Sequence, residues 1–251
     1  MYKKNLLKDL IKILTPEIIH PNLNGIKKIN DILFNFIGTI KYKHFLKYER
    51  NSNYTRLSYI IKAISKFGFE KCKYLEIGVS DGLIFNVLPL NKKNRFGVDP
   101  FKGGNFKITS DEFFKNNSEY FDVIYIDGLH HYEQCQKDCL NALNVLNKNG
   151  IILFHDFIPT HYMDEKVPRK ISSIGSWTGD VWKVAVELSQ SKNLEFCIAN
   201  TDKGIGILKP KENYEYKKIP ELKNLNFKDF YEKYYKELPI ISSDKAMNFI
   251  S

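Results

Sequence analysis

Long hydrophobic runs are absent from this sequence of 251 residues, and so is any dense cluster of charge of one sign. A transmembrane helix needs roughly 20 consecutive apolar residues, so we expect no membrane insertion. The first ten residues carry lysine within their apolar stretch and lack a small-residue cleavage site, which is not typical of a secretory signal. The sequence therefore predicts a cytoplasmic protein.

Cysteine is scarce, and the cysteines that are present have no recognisable spacing. Cys72, Cys135, Cys139 and Cys197 contain no C-x-x-C pair, which disfavours a zinc site or a redox motif of that type. Cys135 and Cys139 lie one helical turn apart in an apolar pattern. We expect all four to be buried free thiols.

Acidic residues are outnumbered, because 38 lysines and arginines against 29 aspartates and glutamates give a net charge of +9. A nucleic-acid partner, an anionic small substrate or a general richness in lysine would each produce this excess. The basic residues are spread along the whole chain, which disfavours nucleic acid and favours a small-molecule substrate.

The length suits one α/β domain with additions at both ends. We predict a helical extension over residues 1–70, a central α/β domain over 71–210, and a tail over 211–251 with one helix at 227–238. Apolar residues recur at helical spacing between residues 3 and 46. These first helices could cover the active site or form the interface of a homo-oligomer, and the sequence does not separate the two.

Short apolar segments alternate with helical patterns through the centre of the chain. Strands are predicted at 71–77, 95–98, 106–109, 121–126, 150–154, 194–199 and 204–208. Helices are predicted at 55–67, 83–88, 111–116, 132–146 and 180–189, the last with Asp180 as its N-cap. This rhythm indicates right-handed crossovers and a mainly parallel sheet, closed by an antiparallel hairpin.

A glycine-containing loop follows the first predicted strand. It reads Glu76-Ile-Gly-Val-Ser-Asp-Gly82, and glycines let the backbone turn sharply and approach a nucleotide closely. Asp99 ends the next strand, 17 residues after Gly82, where a carboxylate can accept hydrogen bonds from both hydroxyls of a ribose. The G-x-G-x-x-G fingerprint of nicotinamide enzymes is missing, because Ser80 and Leu83 replace two of its glycines. A dehydrogenase is therefore disfavoured.

Residues 73–208 resemble the class I S-adenosylmethionine-dependent methyltransferases, specifically the methyltransferase-24 group. The matching motifs are L-E-I-G-V-S-D-G at 75–82, G-V-D-P at 97–100, Y-I-D-G-L-H-H-Y at 125–132, L-F-H-D at 153–156 and G-D-V-W-K at 179–183. The resemblance implies a Rossmann-like fold, with a mainly parallel seven-stranded sheet, a C-terminal antiparallel hairpin and an N-terminal helical extension.

The same resemblance implies residues that bind S-adenosylmethionine within the central domain. They are Glu76, Gly78 and Ser80 at the methionine end, Gly82 in the same loop, Asp99 at the ribose, Ser110 and Asp111 at the adenine edge, and Asp127 beside them.

Acidic and imidazole side chains follow two neighbouring predicted strands, Asp127 after the fourth and His155-Asp156 after the fifth. The carboxyl ends of adjacent parallel strands meet at one edge of a sheet, so we expect these residues to converge. Carboxylates with an imidazole suit Mg²⁺ or Mn²⁺, which can hold a substrate hydroxyl and lower its pKa. The placement resembles metal-dependent catechol-type and sugar O-methyltransferases, although His155 stands where those have an acidic or amide residue. The alternative role for both aspartates is hydrogen bonding within loops.

His130 is the predicted general base. It lies three residues after Asp127, the offset at which the catechol-type relatives place a catalytic lysine, and an imidazole can take up a proton near neutral pH. His131 is the alternative base, in which case His130 would stack or cap the following helix.

A long loop over the active face is predicted at 157–179, where proline, glycine, serine and threonine replace any regular pattern. His161 on this loop is a weaker candidate for the base. Tyr162, Arg169 and Trp177 are candidates for contacts with a sugar or its nucleotide, although aromatic residues in loops often only anchor them.

Together these features predict a methyltransferase that uses S-adenosylmethionine to O-methylate a sugar hydroxyl, on a nucleotide-activated sugar or a surface-polysaccharide precursor. A divalent metal, a histidine base or both would assist, because an alcohol is a poor nucleophile at neutral pH. A nucleic-acid methyltransferase is one alternative, but Asp127-Gly-Leu-His130 replaces its usual proline-rich motif. A non-catalytic RNA-binding scaffold is the other, and it is disfavoured because both the cofactor loop and the acceptor site look intact.

Overall fold

A computed structural model of the protein describes residues 52, 54–169 and 177–251. Its helices are α1 (Arg56–Phe67), α2 (Ser110–Asn116), α3 (Tyr132–Asn144), α4 (Trp182–Ser189), α5 (Phe227–Asp229, continued by Phe230–Tyr234 and Tyr235–Glu237) and α6 (Ser243–Ile250). Its strands are β1 (Tyr74–Ile77), β2 (Arg95–Val98), β3 (Phe121–Ile126), β4 (Leu146–Phe154), β5 (Lys192–Ala199), β6 (Ile205–Glu215) and β7 (Ile240–Ile241). The helices predicted between residues 3 and 46 lie outside the described residues.

The strands form one sheet in the order β2-β1-β3-β4-β6-β5-β7. Strands β1 to β4 pair in parallel, β6 is antiparallel to both β4 and β5, and β7 is parallel to β5. The predicted Rossmann-like sheet with a closing antiparallel hairpin is confirmed. Its seventh strand differs from the prediction, because 106–109 contributes only an isolated bridge between Val98 and Phe106 and β7 was not foreseen.

Three helix predictions need correction. Residues 83–88 form turns rather than a helix. Helix α4 begins after Val181, and Asp180 instead accepts the backbone N–H of Tyr132 at 2.7 Å, so it caps α3 from a distant loop. The tail contains α6 as well as the expected helix, and β6 runs on to Glu215.

Hydrophobic side chains cover both faces of the sheet, as a mainly parallel sheet requires. Leu75 and Ile124 face the cluster that holds α3 and α4, whereas Tyr74 and Val123 face the cluster that holds α1 and α6.

All four cysteines are buried free thiols, as predicted. Among the described residues, no helix combines the length and the apolar character that a membrane span requires.

The reversal of strand order between β1 and β3 places the ends of these strands side by side. In open α/β sheets, ligands bind at the carboxyl ends of the strands at such a point. The loops that begin at Gly78 and Asp127 therefore define where a ligand would lie.

Candidate active site

The glycine loop after β1 packs directly on the backbone that follows β3. Gly78 has a φ of +88°, and a Cβ added there would lie 2.2 Å from the carbonyl oxygen of Asp127. The N–H of Asp127 donates to the carbonyl of Ile77 at 2.9 Å. Only glycine allows this approach, and it fixes the distance between the two loops.

Asp99 organises the loop that follows β2. Its Oδ2 accepts the backbone N–H of Ser80 at 2.8 Å, and its Oδ1 accepts those of Phe101 and Lys102 at 2.9 and 3.0 Å. A carboxylate has about four acceptor positions, so about one remains for a ribose hydroxyl. Binding of the ribose by Asp99 stays a prediction. Its three hydrogen bonds to backbone N–H groups show that Asp99 also organises the loops around it.

A cavity of about 500 Å³ opens beside these loops. It is lined by Ile77, Gly78, Val98, Asp99, Pro100, Phe101, Thr109, Ser110, Asp111, Gly128, Leu129, Gln134 and Asp138. Phe101 is 91% exposed and Leu129 57% exposed, so two apolar side chains are available to a flat ring. Gln134 donates to both Ser110 and Asp111 at 3.2 Å. These surroundings fit the adenosine part of S-adenosylmethionine.

Four of the predicted cofactor residues lie outside the lining of this cavity: Glu76, Ser80, Gly82 and Asp127. Glu76 is almost fully buried and accepts a hydrogen bond from the Tyr74 hydroxyl at 2.7 Å. Burial raises the pKa of Glu76 to about 8, against a smaller opposing effect of that bond. The contact of these four residues with the cofactor stays a prediction.

Asp127 lies at the centre of a second group of polar residues, at the carboxyl end of β3. Its Oδ2 accepts from Arg56 Nη1 at 3.2 Å and from the Tyr125 hydroxyl at 3.0 Å. Its Oδ1 lies 3.2 Å from His155 Nδ1 and 3.5 Å from His130 Nε2. Burial alone would raise the pKa of Asp127, but the two histidines hold it well below its usual range.

His130, the predicted base, lies between the two aspartates. Its Nδ1 is 3.1 Å from Asp156 Oδ2 and 3.1 Å from the carbonyl oxygen of Trp177. The indole of Trp177 stacks on the imidazole, with ring centroids 5.0 Å apart. Burial alone would lower the pKa of His130, but Asp127 and Asp156 raise it.

His155 and Asp156 follow β4 and are both buried. His155 Nδ1 lies 3.2 Å from Asp156 Oδ1, at the same distance as from Asp127. Burial alone would lower the pKa of His155, and the two carboxylates raise it well above its usual range. Asp156 has a left-handed φ of +65°, a strained conformation of the kind that clusters at functional sites.

Sequence reasoning missed three charged residues of this group, Arg56, Asp202 and Lys203. Arg56 at the start of α1 and Asp202 in the β5–β6 turn are separated by 146 positions in the chain. No local pattern could have joined them. The lone clue was that the predicted hairpin turn contained two charged residues.

The remaining candidates lie elsewhere. His131 packs edge-on against Trp177 and lines a separate cavity of about 350 Å³, so it does not face the two aspartates. His161 is buried, which lowers its pKa to about 4, and its Nδ1 accepts the N–H of Met163. Tyr162 is buried in the core rather than exposed for a sugar. Arg169 lies over the Trp177 ring at 5.9 Å.

A divalent cation fits the chemistry of this group. Ligand atoms of Asp127, His130 and Asp156 lie within 4.8 Å of one another. Within the described part of the chain, the buried Oδ1 of Asp156 has no hydrogen bond of acceptable geometry, which leaves an oxygen for a cation. Carboxylates and an imidazole suit Mn²⁺ or Mg²⁺. The predicted ligand His155 contacts both carboxylates but is not one of these three.

Comparison with known proteins identifies the segment that carries these strand ends. Residues 99–157 match the model of the methyltransferase-24 family, described as a methyltransferase domain. They include Asp99, Asp127, His130 and Asp156. None of the curated protein sequences matches the chain.

Several solved structures are similar in fold. A methyltransferase from Podospora anserina, PaMTH1, bound to S-adenosylhomocysteine, is 17% identical with a TM-score of 0.43, over 62% of this chain and 78% of that one. An O-methyltransferase from Bacillus cereus in complex with S-adenosylhomocysteine is 12% identical with a TM-score of 0.39, over 83% and 100%. MycE, a methyltransferase of mycinamycin biosynthesis, is 11% identical with a TM-score of 0.37, over 57% and 46%.

Proposed function

We propose that this chain is a class I S-adenosylmethionine-dependent methyltransferase that methylates a hydroxyl oxygen of a sugar. Residues 99–157 match the methyltransferase-24 family model, and the sheet has the strand order described above. The acceptor would be a nucleotide-activated sugar or a precursor of a surface polysaccharide. The observation that carries this proposal is the placement of His130 between Asp127 and Asp156, beside the glycine loop. An alcohol needs such a group, since its own pKa is far above neutral.

S-adenosylmethionine supplies a methyl group already activated by its sulfonium. The chain then has to orient the acceptor oxygen and remove its proton. As the oxygen–methyl bond forms and the methyl–sulfur bond breaks, the hydroxyl proton passes to the imidazole of His130. Nε2 is the receiving atom, because it is held loosely at 3.5 Å from Asp127, whereas Nδ1 is held at 3.1 Å between Asp156 and the Trp177 carbonyl. The carboxylates stabilise the resulting imidazolium.

A divalent metal would be held by Asp127, His130 and Asp156, and it would act as a Lewis acid that lowers the pKa of the acceptor hydroxyl. Metal binding and base catalysis by His130 compete for the same imidazole. Which of the two operates is therefore decided by the metal dependence of turnover.

Calorimetric titration with S-adenosylhomocysteine, with and without Mg²⁺ or Mn²⁺, tests the cofactor first. Turnover with a panel of nucleotide sugars then tests the acceptor. Stoichiometric binding together with turnover on one sugar supports the proposal, whereas a folded protein that binds no S-adenosylhomocysteine contradicts it. Full turnover in excess chelator would exclude the metal and leave His130 as the base.

A further inference from the structure

The turn between β5 and β6 has a strained backbone. In the segment Thr201-Asp-Lys-Gly204, the N–H of Gly204 donates to the carbonyl of Thr201 at 2.8 Å. Asp202 and Lys203 between them have φ values of +44° and +64°. Two consecutive left-handed residues are the pattern of a type I′ turn, which favours Asn-Gly or Asp-Gly. Asp202 suits the first of these positions, but Lys203 occupies the second, where the backbone would select glycine.

Asp202 uses this conformation to hold Arg56. Arg56 Nε donates to Asp202 Oδ2 at 2.9 Å and Nη2 to Oδ1 at 3.0 Å, and the backbone N–H of Arg56 adds a third bond at 3.1 Å. A bidentate pair of this kind fixes both orientation and distance. The remaining terminal nitrogen of Arg56 reaches Asp127 Oδ2 at 3.2 Å. The turn thereby restrains the central carboxylate of the site.

The same turn flanks the histidine and the aspartate that follow β4. Asp202 Oδ1 lies 3.5 Å from His155 Nε2, while Nδ1 of that ring faces Asp127 and Asp156. Lys203 Nζ lies 3.8 Å from Asp156 Oδ1. His155 is thus held between carboxylates on both sides of its ring, an arrangement that orients an imidazole.

We propose that the β5–β6 turn is a positioning element of the active site, in which Asp202, with Arg56, and Lys203 fix the orientations of Asp127, His155 and Asp156. The backbone strain at Lys203 is then the consequence of placing a charged side chain where glycine would be more stable. Only the turnover and S-adenosylhomocysteine parts of the test rest on the proposed methyltransferase function.

The experiment replaces the turn by the sequence that its backbone prefers, with the double variant Asp202→Asn/Lys203→Gly. Asn149→Gly is the matched control, because Asn149 has a left-handed φ of +64° and is exposed near the amino end of β4, away from the site. Four quantities are measured for each: the melting temperature, the affinity for S-adenosylhomocysteine, turnover with the sugar found in the panel, and the imidazole ¹⁵N signals of His155 at one pH.

The turn variant is expected to melt within a few degrees of the wild type or above it, because relief of strain offsets the lost ion pairs. Its turnover should fall roughly 10- to 100-fold, the His155 signals should shift, and S-adenosylhomocysteine affinity should stay unchanged, since no turn residue lines the cofactor cavity. The control should keep wild-type turnover and His155 signals. Wild-type turnover and unshifted His155 signals in the turn variant would overturn the proposal.

If the double variant does not fold, Arg56→Lys takes its place, because lysine keeps the charge but cannot form the bidentate pair. Unchanged His155 signals in Arg56→Lys then contradict the proposal. If the wild type binds no S-adenosylhomocysteine, the methyltransferase proposal fails by itself, and the His155 signals still decide whether the turn positions the ring.

Discussion

At the scale of single residues, His130 and His131 are neighbours in the chain with different surroundings. Only His130 reaches Asp127 and Asp156, whereas His131 packs against Trp177. We therefore expect His130→Ala to lower turnover by about 10² to 10⁴-fold, the usual contribution of a general base. Affinity for S-adenosylhomocysteine should be retained, because neither histidine lines the cofactor cavity.

The variant His131→Ala tests whether His130 or His131 is the general base. It should lower turnover far less than His130→Ala, and steady-state kinetics of both variants on the same acceptor measures the difference. The opposite ranking would move the base to His131 and contradict the mechanism.

Glu76 provides a second test at this scale, through the pH dependence of stability. Burial raises its pKa from 4.5 to about 8 in the folded protein, so the folded state retains a proton that the unfolded state loses. This contribution to the free energy of unfolding is complete below about pH 4.5 and is lost as the pH rises towards 8. Its slope is at most about 1.4 kcal/mol per pH unit.

Glu76→Gln cannot ionise and should remove that slope. Urea unfolding of both proteins without cofactor at pH 5.5, 6.5 and 7.5 measures it, and the difference in free energy should shift in favour of the variant as the pH rises. A difference that is constant across the three pH values would show that Glu76 has an ordinary pKa.

At the scale of elements, the sequence predicted those parts of the fold whose signals are local. The limits of β3 were predicted fully because a short apolar run ends at Asp127, and the convergence of Asp127 with Asp156 followed from parallel pairing. The helix at 83–88 was wrong, since a few apolar residues with helical spacing do not outweigh the turns that follow Gly82. Strand β7 has two residues, too few for any pattern. The contacts of Arg56 with Asp202 depend on the assembled fold.

The segment that carries Trp177 packs at Gly179 against His130, which precedes α3. Gly179 has a φ of +63°, and an added Cβ would lie 1.7 Å from the carbonyl oxygen of His130. We expect Gly179→Ala to displace this loop, lower the melting temperature and lower turnover, because the stacking of Trp177 on His130 would be lost.

Gly68→Ala is the matched control for this variant. Gly68 has a φ of +84° with nothing within 4 Å of an added Cβ, so it reports backbone strain without a clash. Thermal melts and turnover of both variants are compared. Equal losses at the two positions would show that strain alone acts at Gly179 and that the loop does not set the position of His130.

At the scale of the whole molecule, the basic residues behind the net charge of +9 are spread along the sequence rather than concentrated in one segment. Several exposed lysines pair with carboxylates: Lys148 with Glu212, Lys192 with Glu215, Lys211 with Glu195, and Lys223 with Glu133. Such pairs cancel the local potential that a nucleic-acid backbone would require. The overall excess of lysine is therefore compatible with a small acceptor.

The salt dependence of binding and turnover tests whether the substrate is a small acceptor or a nucleic acid. A protein that neutralises about 6 to 10 phosphates loses affinity by about 10³ to 10⁵ between 50 and 200 mM salt. For a small acceptor that meets the paired charges of the active site, we expect the KM to change by less than about tenfold over the same range. Steady-state kinetics at four salt concentrations measures the slope, with binding of a mixed-sequence RNA oligonucleotide measured in parallel. Tight RNA binding that weakens steeply with salt, beside a sugar KM too high to measure, would instead assign the excess charge to a nucleic-acid substrate.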